Sequence, residues 1–393
     1  MRLRLDVRTV AHMRERRAII VGAGIGGLTA AIALRRAGVE AQVFEREPEI
    51  REAGAGISLW PNAMLALHRL GLDEAIEAAG RRATDGSLRT WTGEPLGPSV
   101  ADQLERSFGA PLVVVHRSSL HAVLRVALSP DALTLGREAV AIEQDDAGAA
   151  VLFSDGSVAR GDVVIGADGI RSRVRARVVG DGAPRYAGYT AWRGVVSMDA
   201  SLSDKILVGE SWGHASLFGV ARLGGSQAYW WASTRMRQER GGPPAQEKEA
   251  LVRRFGAWHS SVSALIDATV PEAIIRTPLY DRRPTERWTD GRVALLGDAA
   301  HPMLPNLGQG ACQAIEDALV LADVLRDEPD SAAALAAYST LRLKRANAIV
   351  RRSRQMARLA HLANPLAVGA RNLLLRASSP SATLRRLEPL LAA

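Results

Sequence analysis

The chain has 393 residues, 47% of them hydrophobic and 23% charged, enough to bury one large core or two and ordinary for a globular protein. Its formal net charge of +8 would suit a nucleic-acid binder, but the excess is Arg scattered through an Ala-rich and Arg-rich sequence, so no nucleic-acid partner is expected. No apolar run approaches the roughly 18 residues of a membrane span, and a single cysteine, Cys312, excludes a disulfide framework and a multi-cysteine metal site, which fits a reducing cytoplasm.

Residues 1–16 are basic and lack the apolar stretch and cleavage site of a secretory signal; an extension is expected, with Met13 as an alternative start. From Arg17 to Glu45 the sequence reads strand, glycine turn, helix, strand: AIIV, then GAGIGG, then LTAAIALRRAG ended by Gly38, then AQVFE. This is a βαβ unit. Gly22, Gly24 and Gly27, with Gly26 between them, allow a tight turn, close approach to a pyrophosphate and tight helix–strand packing. Glu45, at the end of the second strand, stands where a carboxylate accepts ribose hydroxyls, with Arg46 beside it. This motif alone leaves NAD and FAD open.

Two short helices broken by Pro61 and Gly71 are expected between Ser58 and Gly80, then a strand entering a helix in VVVHRSSLHAVLRVAL. Strands follow over 133–167, with a turn at Asp155 and Gly156. Near Arg185 aromatic residues thicken and strand-like alternation replaces long helices as far as Tyr280. The chain then returns to α/β character with RVALLGDAA, a long helix from about Gly310, and helical Arg-rich sequence punctuated by Pro365 and Pro380. The expected organisation is therefore a discontinuous nucleotide-binding domain of residues 17–184 and 281–330, an inserted β-sheet domain of residues 185–280, and a C-terminal helical segment of residues 331–393.

VVIGADGIRSRVR at 163–175 and RVALLGDAAHPMLPNLGQGACQAIEDALVLADVL at 292–325, together with GAGIGG, resemble the group A flavin monooxygenases of the para-hydroxybenzoate hydroxylase fold. EAGAGISLWPNAMLALHRLGL, VHRSSLHAVL, YAGYTAWRGVV and YSTLRLKRANAIV extend the resemblance from about Ala18 to Ser353, nearest to the salicylate, urate and 6-hydroxynicotinate hydroxylases. It implies an α/β fold with a Rossmann-like FAD-binding domain, an inserted β-sheet substrate domain and C-terminal helices. FAD, NADPH or NADH, and O2 are the implied cofactors and co-substrate, and hydroxylation of an aromatic or heteroaromatic ring through a flavin hydroperoxide is the implied reaction. Epoxidation, decarboxylative hydroxylation, or a homologue that only sequesters FAD and a ligand are the alternatives.

By the resemblance, Asp298 accepts from the ribityl chain, a task suited to a carboxylate on a short turn. The backbone of Leu307, Gly308, Gln309 and Gly310 aims N–H groups at the flavin, and Pro305 lies over its reacting edge. Asp168, with Gly169, Ser172 and Arg175, matches the family's second motif, and Arg117 stands where a guanidinium meets the FAD phosphates. Gly56 and Ser58, within Gly54 to Leu59, pass beside the ring system.

For the substrate, the sheet residues Trp192, Arg193, His214, Leu217, Tyr229 and Trp231 are the candidates, with His214 or Tyr229 assisting deprotonation as catalytic groups alongside Pro305. The urate hydroxylases carry an arginine around position 214, so His214 points to a less anionic substrate, a small aromatic molecule. GESWG at 209–213 fits G-x-S-x-G, but HASLFGV after it continues as a strand, which excludes the nucleophile elbow. The histidines show no metal-ligand spacing, and Cys312 is expected to be a small buried side chain. Arg342, Lys344, Arg345, Arg351, Arg352, Arg354 and Arg358 crowd one helical segment, a solvated face or a peripheral membrane contact; a monomer or homodimer is expected.

Overall fold

The computed structural model describes residues 16–50 and 55–392; Met13, the extension before Arg16, and Gly54 lie outside them. The strand Arg17–Val21, buried over its last four residues, forms the centre of a six-stranded sheet. Glu40–Phe44 pairs parallel on one side of it and Val163–Gly166 on the other. Leu133–Thr134 and Val293–Leu295 extend the parallel ladder, and Thr289–Asp290 adds an antiparallel edge. Parallel neighbours require a crossover, supplied between the first two strands by the helix Ile25–Arg36. That helix stops where Gly38 takes φ +80, a left-handed conformation open to glycine at little cost.

A smaller antiparallel sheet carries Val113–His116 between Gly56–Leu59 and Gly80–Arg82, with helices Pro61–Arg69, Asp73–Ala79 and Arg117–Val126 around it. A third joins Ala139–Gln144, Ala149–Phe153 and Val158–Gly161. The expected strand and helix order in this half is present.

The aromatic-rich region forms a second six-stranded sheet in the order Ile275–Asp281, Arg185–Ser197, Gln227–Arg235, Ser216–Leu223, Gly209–Trp212 and Ser87–Thr90. Two features depart from the sequence reading. The last strand comes from far upstream and pairs parallel with Gly209–Trp212. Helices also occur between 185 and 280: Pro244–Phe255 and Ser260–Ala268 cover one face of the sheet, burying Leu251, Phe255 and Leu265 against Trp192, Phe218 and Trp230. Leu251 and Phe255, spaced i and i+4, belong to a helical stripe that the surrounding charge of QEKEALVRRF masks.

Helix Gly310–Asp327 packs beside Ile25–Arg36, and Ser331–Ala360, Pro365–Arg376 and Pro380–Leu391 complete the chain, the last two each starting on a proline that has no amide hydrogen to lose. The 30-residue helix Ser331–Ala360 is built into the half that carries the parallel sheet: the buried Tyr338 hydroxyl donates to the Leu295 carbonyl at 3.0 Å. Part of its basic crowding is spent inside. Arg342 pairs with Glu316 and Asp317, Arg345 with Glu316, and Arg354 with Asp281, which leaves Lys344, Arg351, Arg352 and Arg358 on the exposed face. No helix among the described residues is long and apolar enough to cross a membrane.

Candidate active site

The glycine loop is shaped by backbone contacts. Gly22 takes φ +105, its amide donates to Phe44 O at 2.8 Å, and a Cβ there would lie 2.5 Å from the Ala167 carbonyl oxygen. A Cβ on Gly27 would collide with the Gly22 carbonyl, and one on Gly26 would press on Leu296 and Ala314. Gly24 differs: it caps helix Ile25–Arg36, and nothing lies within 4 Å of where its Cβ would be. Open backbone at a helix N-terminus fits a pyrophosphate. Glu45 braces this loop, its Oε2 accepting from Ala23 N at 2.8 Å and Oε1 from Glu47 N at 3.1 Å, while Arg46 is exposed 3.5 Å from Glu47.

His121, absent from the sequence candidates, puts Nε2 2.7 Å from the Ala23 carbonyl of the same loop. Burial lowers its pKa, with Arg125 and Arg117 adding to the effect. Arg117, His121 and Arg125 recur every four residues along Arg117–Val126, a stripe visible in the sequence once that helix is placed against the loop. Arg117 is exposed as the first residue of its helix, and its amide donates to Ala55 O.

Asp298 sits on the short turn Gly297–Ala299, beside the start of helix Gly310–Asp327; its Oδ1 lies 3.9 Å from where a Gly310 Cβ would be. The carboxylate is open to the cleft and takes no hydrogen bond among the described residues. Surrounding protein raises its pKa, while His301 and Arg117 pull it down. Before that helix, Pro305–Leu307 forms a 3-10 turn and Gly308 takes φ +63, leading into Gln309 as the helix cap. A Cβ at Gly308 would lie 2.7 Å from Trp60 Nε1, an indole nitrogen buried without a partner. Buried Gln309 bonds Asn62 and Gln313, which leaves its backbone to define the turn.

A buried ionic network fixes this turn. Asp317 Oδ2 accepts from Gly297 N at 3.0 Å and lies 2.6 Å from His301 Nε2, while Oδ1 accepts from Arg342 Nε at 2.7 Å. Burial works against the Asp317 charge, but His301 and Arg342 outweigh it and hold the carboxyl at about 2. From the other side the fully buried Arg175 donates to the carbonyls of Ala299 and Ala300 at 2.9 and 2.7 Å and is neutralised by Asp181. Asp168 Oδ2 accepts from Arg173 N at 2.7 Å; its Oδ1 is buried without a partner, and burial raises the carboxyl's pKa.

Across the large sheet, strand alternation sorts the aromatic candidates. Glu210, Gly219, Trp231 and Arg193 stand directly opposite one another along four strands and share a face. Tyr229 is on that face too, its ring packed on the backbone of Gly56, where a Cβ would come within 2.5 Å. Its phenol is raised by burial, with Arg193 opposing, so at neutral pH it is a hydroxyl that donates or accepts. Tyr229 and Trp231 have centroids 5.3 Å apart, and Leu217 is buried on the same face beside Leu96, Trp212 and Ala360. Leu304, next to Pro305, reaches this face at Tyr189 and Ala191.

Two candidates are placed elsewhere. Trp192 points to the opposite face, where its Nε1 donates to Glu247 at 2.7 Å and Arg276 lies over its ring. Position 192 is one residue from Arg193, and a one-residue step reverses the face. His214 is exposed on the hairpin between Gly209–Trp212 and Ser216–Leu223, roughly 20 Å along the sheet from Tyr229 at about 3.3 Å per residue. The two proposed proton-handling groups are not brought together. Cys312 is buried, its thiol pushed up to about 12 by burial.

A cleft with a pyrophosphate-ready loop, an unpartnered Asp298 and a helix N-terminus facing an aromatic sheet defines a flavin-dependent oxidoreductase of the Rossmann-like type. Comparison with known proteins agrees. Residues 15–353 match the FAD binding domain family, and the chain belongs to it. It is 42% identical to the aurachin C monooxygenase/isomerase of Stigmatella aurantiaca, over 92% of this chain and 94% of that protein. It is 41% identical to the 3-amino-4-hydroxybenzoate 2-monooxygenase of Streptomyces cremeus, over 89% of each. The crystal structure of Klebsiella pneumoniae HpxO complexed with FAD and uric acid superposes with a TM-score of 0.90 at 32% identity, covering 95% of each chain. The protein is an FAD-dependent monooxygenase of the group A branch with the para-hydroxybenzoate hydroxylase fold, using NAD(P)H and O2.

Proposed function

We propose that the protein hydroxylates a planar aromatic or heteroaromatic ring held between the Arg193, Tyr229 and Trp231 face of the sheet and the segments Gly56–Leu59 and Leu304–Pro305. The observation that carries this reading is the packing of Tyr229 on Gly56, which brings the aromatic face of the second sheet onto the strand expected beside the flavin. Names of relatives support the substrate class: urate, aminohydroxybenzoate and aurachin C are all aromatic or heteroaromatic.

In this reading Gly22, Gly24, Gly26 and Gly27 with the helix N-terminus hold the pyrophosphate, and Glu45 accepts a ribose hydroxyl with the lone pairs that the loop amides leave free. Arg46 and Arg117 neutralise phosphate charge, Asp168 offers its unpartnered Oδ1 at the same end, and Asp298 accepts from the ribityl hydroxyls. The orphan carboxylate oxygen, the open Gly24 and the uncovered Asp298 fit FAD. Bound FAD, once reduced by NAD(P)H, supplies the activation of dioxygen. The backbone of Leu307 to Gly310 presents positive dipole to the ring system, and Ser58 and Pro305 border it. Tyr229, kept protonated, orients the substrate by hydrogen bonding, and Arg193 steadies it. Leu217 and the indole of Trp231 exclude water.

The deciding experiment measures NADPH and NADH oxidation with oxygen uptake across phenols, amino-hydroxybenzoates and quinolones. Ligand-stimulated oxidation with a hydroxylated product is expected; a yellow protein whose oxidation rate no aromatic ligand changes would be a sequestering homologue. The reading keeps a monomer or homodimer in a reducing cytoplasm, with Cys312 as a buried free thiol, and limits any contact with a membrane surface to the Lys344, Arg351, Arg352 and Arg358 side of the long helix.

A further inference from the structure

Glu210 has no assigned task, and its surroundings are unusual for a carboxylate. It lies on the substrate-side face of the large sheet, partly exposed, with no cation paired to it among the described residues. Two indoles hold it: Trp212 Nε1 donates to Oε2 and Trp231 Nε1 to Oε1, both at 2.9 Å. One donor per oxygen leaves each with acceptor capacity. Burial raises the Glu210 pKa and the two indoles oppose it.

The arrangement is built by a glycine. Gly219 stands between Glu210 and Trp231 in the cross-strand row, and any Cβ there would collide with Trp231 Cε2. The indole therefore lies flat over the Gly219 backbone, presenting a ring face to the cleft while its N–H reaches Glu210. Arg193 closes the row three strands from Glu210, roughly 14 Å away at about 4.8 Å per strand, too far to neutralise it. The floor thus runs from a carboxylate, across an indole face, to a guanidinium beside Tyr229.

We propose that Glu210 is the specificity-determining acceptor of the substrate pocket, selecting an aromatic ring that turns an N–H or O–H edge toward it and rejecting rings that turn a carboxylate or a blocked nitrogen there. The inference rests on the hydroxylase reading for its location and extends it to substrate chemistry. A ring lying on Trp231 satisfies the remaining acceptor capacity of Glu210 if it brings a donor; a carboxylate brings repulsion, and an N-methyl group leaves the acceptor desolvated and unpaired. Sites built to hydrogen-bond a ligand edge discriminate far more strongly than apolar pockets do.

Binding to the FAD-loaded enzyme, followed by the flavin absorbance change without turnover, tests this with 4(1H)-quinolone, its N-methyl derivative and benzoate as probes. The wild type should bind the N–H ring at least about tenfold more tightly than the other two. Glu210→Gln removes the charge and one acceptor, and should bring the N–H and N-methyl affinities to within about twofold. Trp231→Phe disturbs the same spot but keeps the carboxylate, so the N–H preference should survive there, which a general loosening of the pocket would not allow. Equal affinities in the wild type, no binding of the N–H ring, or an undiminished preference in Glu210→Gln overturns the proposal. Turnover is read separately: an enzyme that hydroxylates aromatic rings without this preference retains its function and loses this inference, whereas the preference without NAD(P)H oxidation does the reverse.

Discussion

Asp298 and Trp192 show what a single side chain's surroundings decide. Asp298 takes no hydrogen bond among the described residues, so its replacement should cost little stability and much cofactor affinity. Asp298→Ala is expected to weaken FAD binding by about tenfold to a hundredfold, the worth of one or two charge-assisted hydrogen bonds, measured as the flavin-to-protein absorbance ratio after dialysis. Full occupancy would remove the residue from the site. Trp192 has the opposite profile: Trp192→Phe should lower stability by about 1–2 kcal/mol through its lost bond to Glu247 and leave the KM for the aromatic substrate unchanged, and a raised KM would return it to the pocket. The glycines and Asp298 were legible because their tasks are backbone shape and a motif spacing. Arg175 was legible as part of a motif, but its bonds to the carbonyls of Ala299 and Ala300 were not, because they come from a segment far away in the chain; His121 was missed for the same reason, and a lone Glu between Gly209 and Ser211 carries no pattern.

Among elements, the contact between Gly310–Asp327 and Ser331–Ala360 holds the Gly297–Ala299 turn from behind. Arg342 bonds Asp317, Glu316 and Gln313 at once. Arg342→Met should cost about 3–5 kcal/mol, because it leaves the Asp317 charge buried beside His301 alone, and chemical denaturation should register it with a parallel loss of FAD. A change below 1 kcal/mol would mean that the network is not what fixes the turn. The sequence announced the first helix from about Gly310 and the second only as helical, Arg-rich sequence, without the Asp330 cap at which it starts. It presented the basic crowding of the second as a surface property, since which arginines turn inward depends on Glu316 and Asp317 on a neighbouring helix. The helices Pro244–Phe255 and Ser260–Ala268 went unread for a related reason: their apolar stripe is narrow, and only the face of Trp230 and Phe218 makes it a buried one.

At the scale of the molecule, the sheet and the C-terminal helices meet at His361. Its Nε2 lies 2.8 Å from Ser233 Oγ, Nδ1 is 2.8 Å from Ala357 O, and Tyr189 covers the ring, with Arg371 the nearest like charge. Burial first, then Arg371, lowers its pKa to about 4. A histidine held neutral in the fold stabilises fully above its ordinary pKa near 6.5, and that contribution is lost as pH falls through 6.5 toward 4, about 3 kcal/mol at the lower end. The melting temperature should drop over that window and His361→Gln should flatten the drop; an unchanged slope in the variant would assign the acid sensitivity elsewhere.

The parallel strand Ser87–Thr90 bears on how the protein comes into being. It is made roughly 120 residues before Gly209–Trp212, its partner, which at 5–20 residues per second is on the order of ten seconds of synthesis. Until then it has no ladder to join, and the sheet, when it forms, has an open edge at Gly209–Trp212 that this early strand covers. Residues 185–280 produced alone would carry that edge bare and should self-associate, so the insertion is a module by position in the chain but not a unit that can be cut out, exchanged between relatives or evolved independently of residues 87–90.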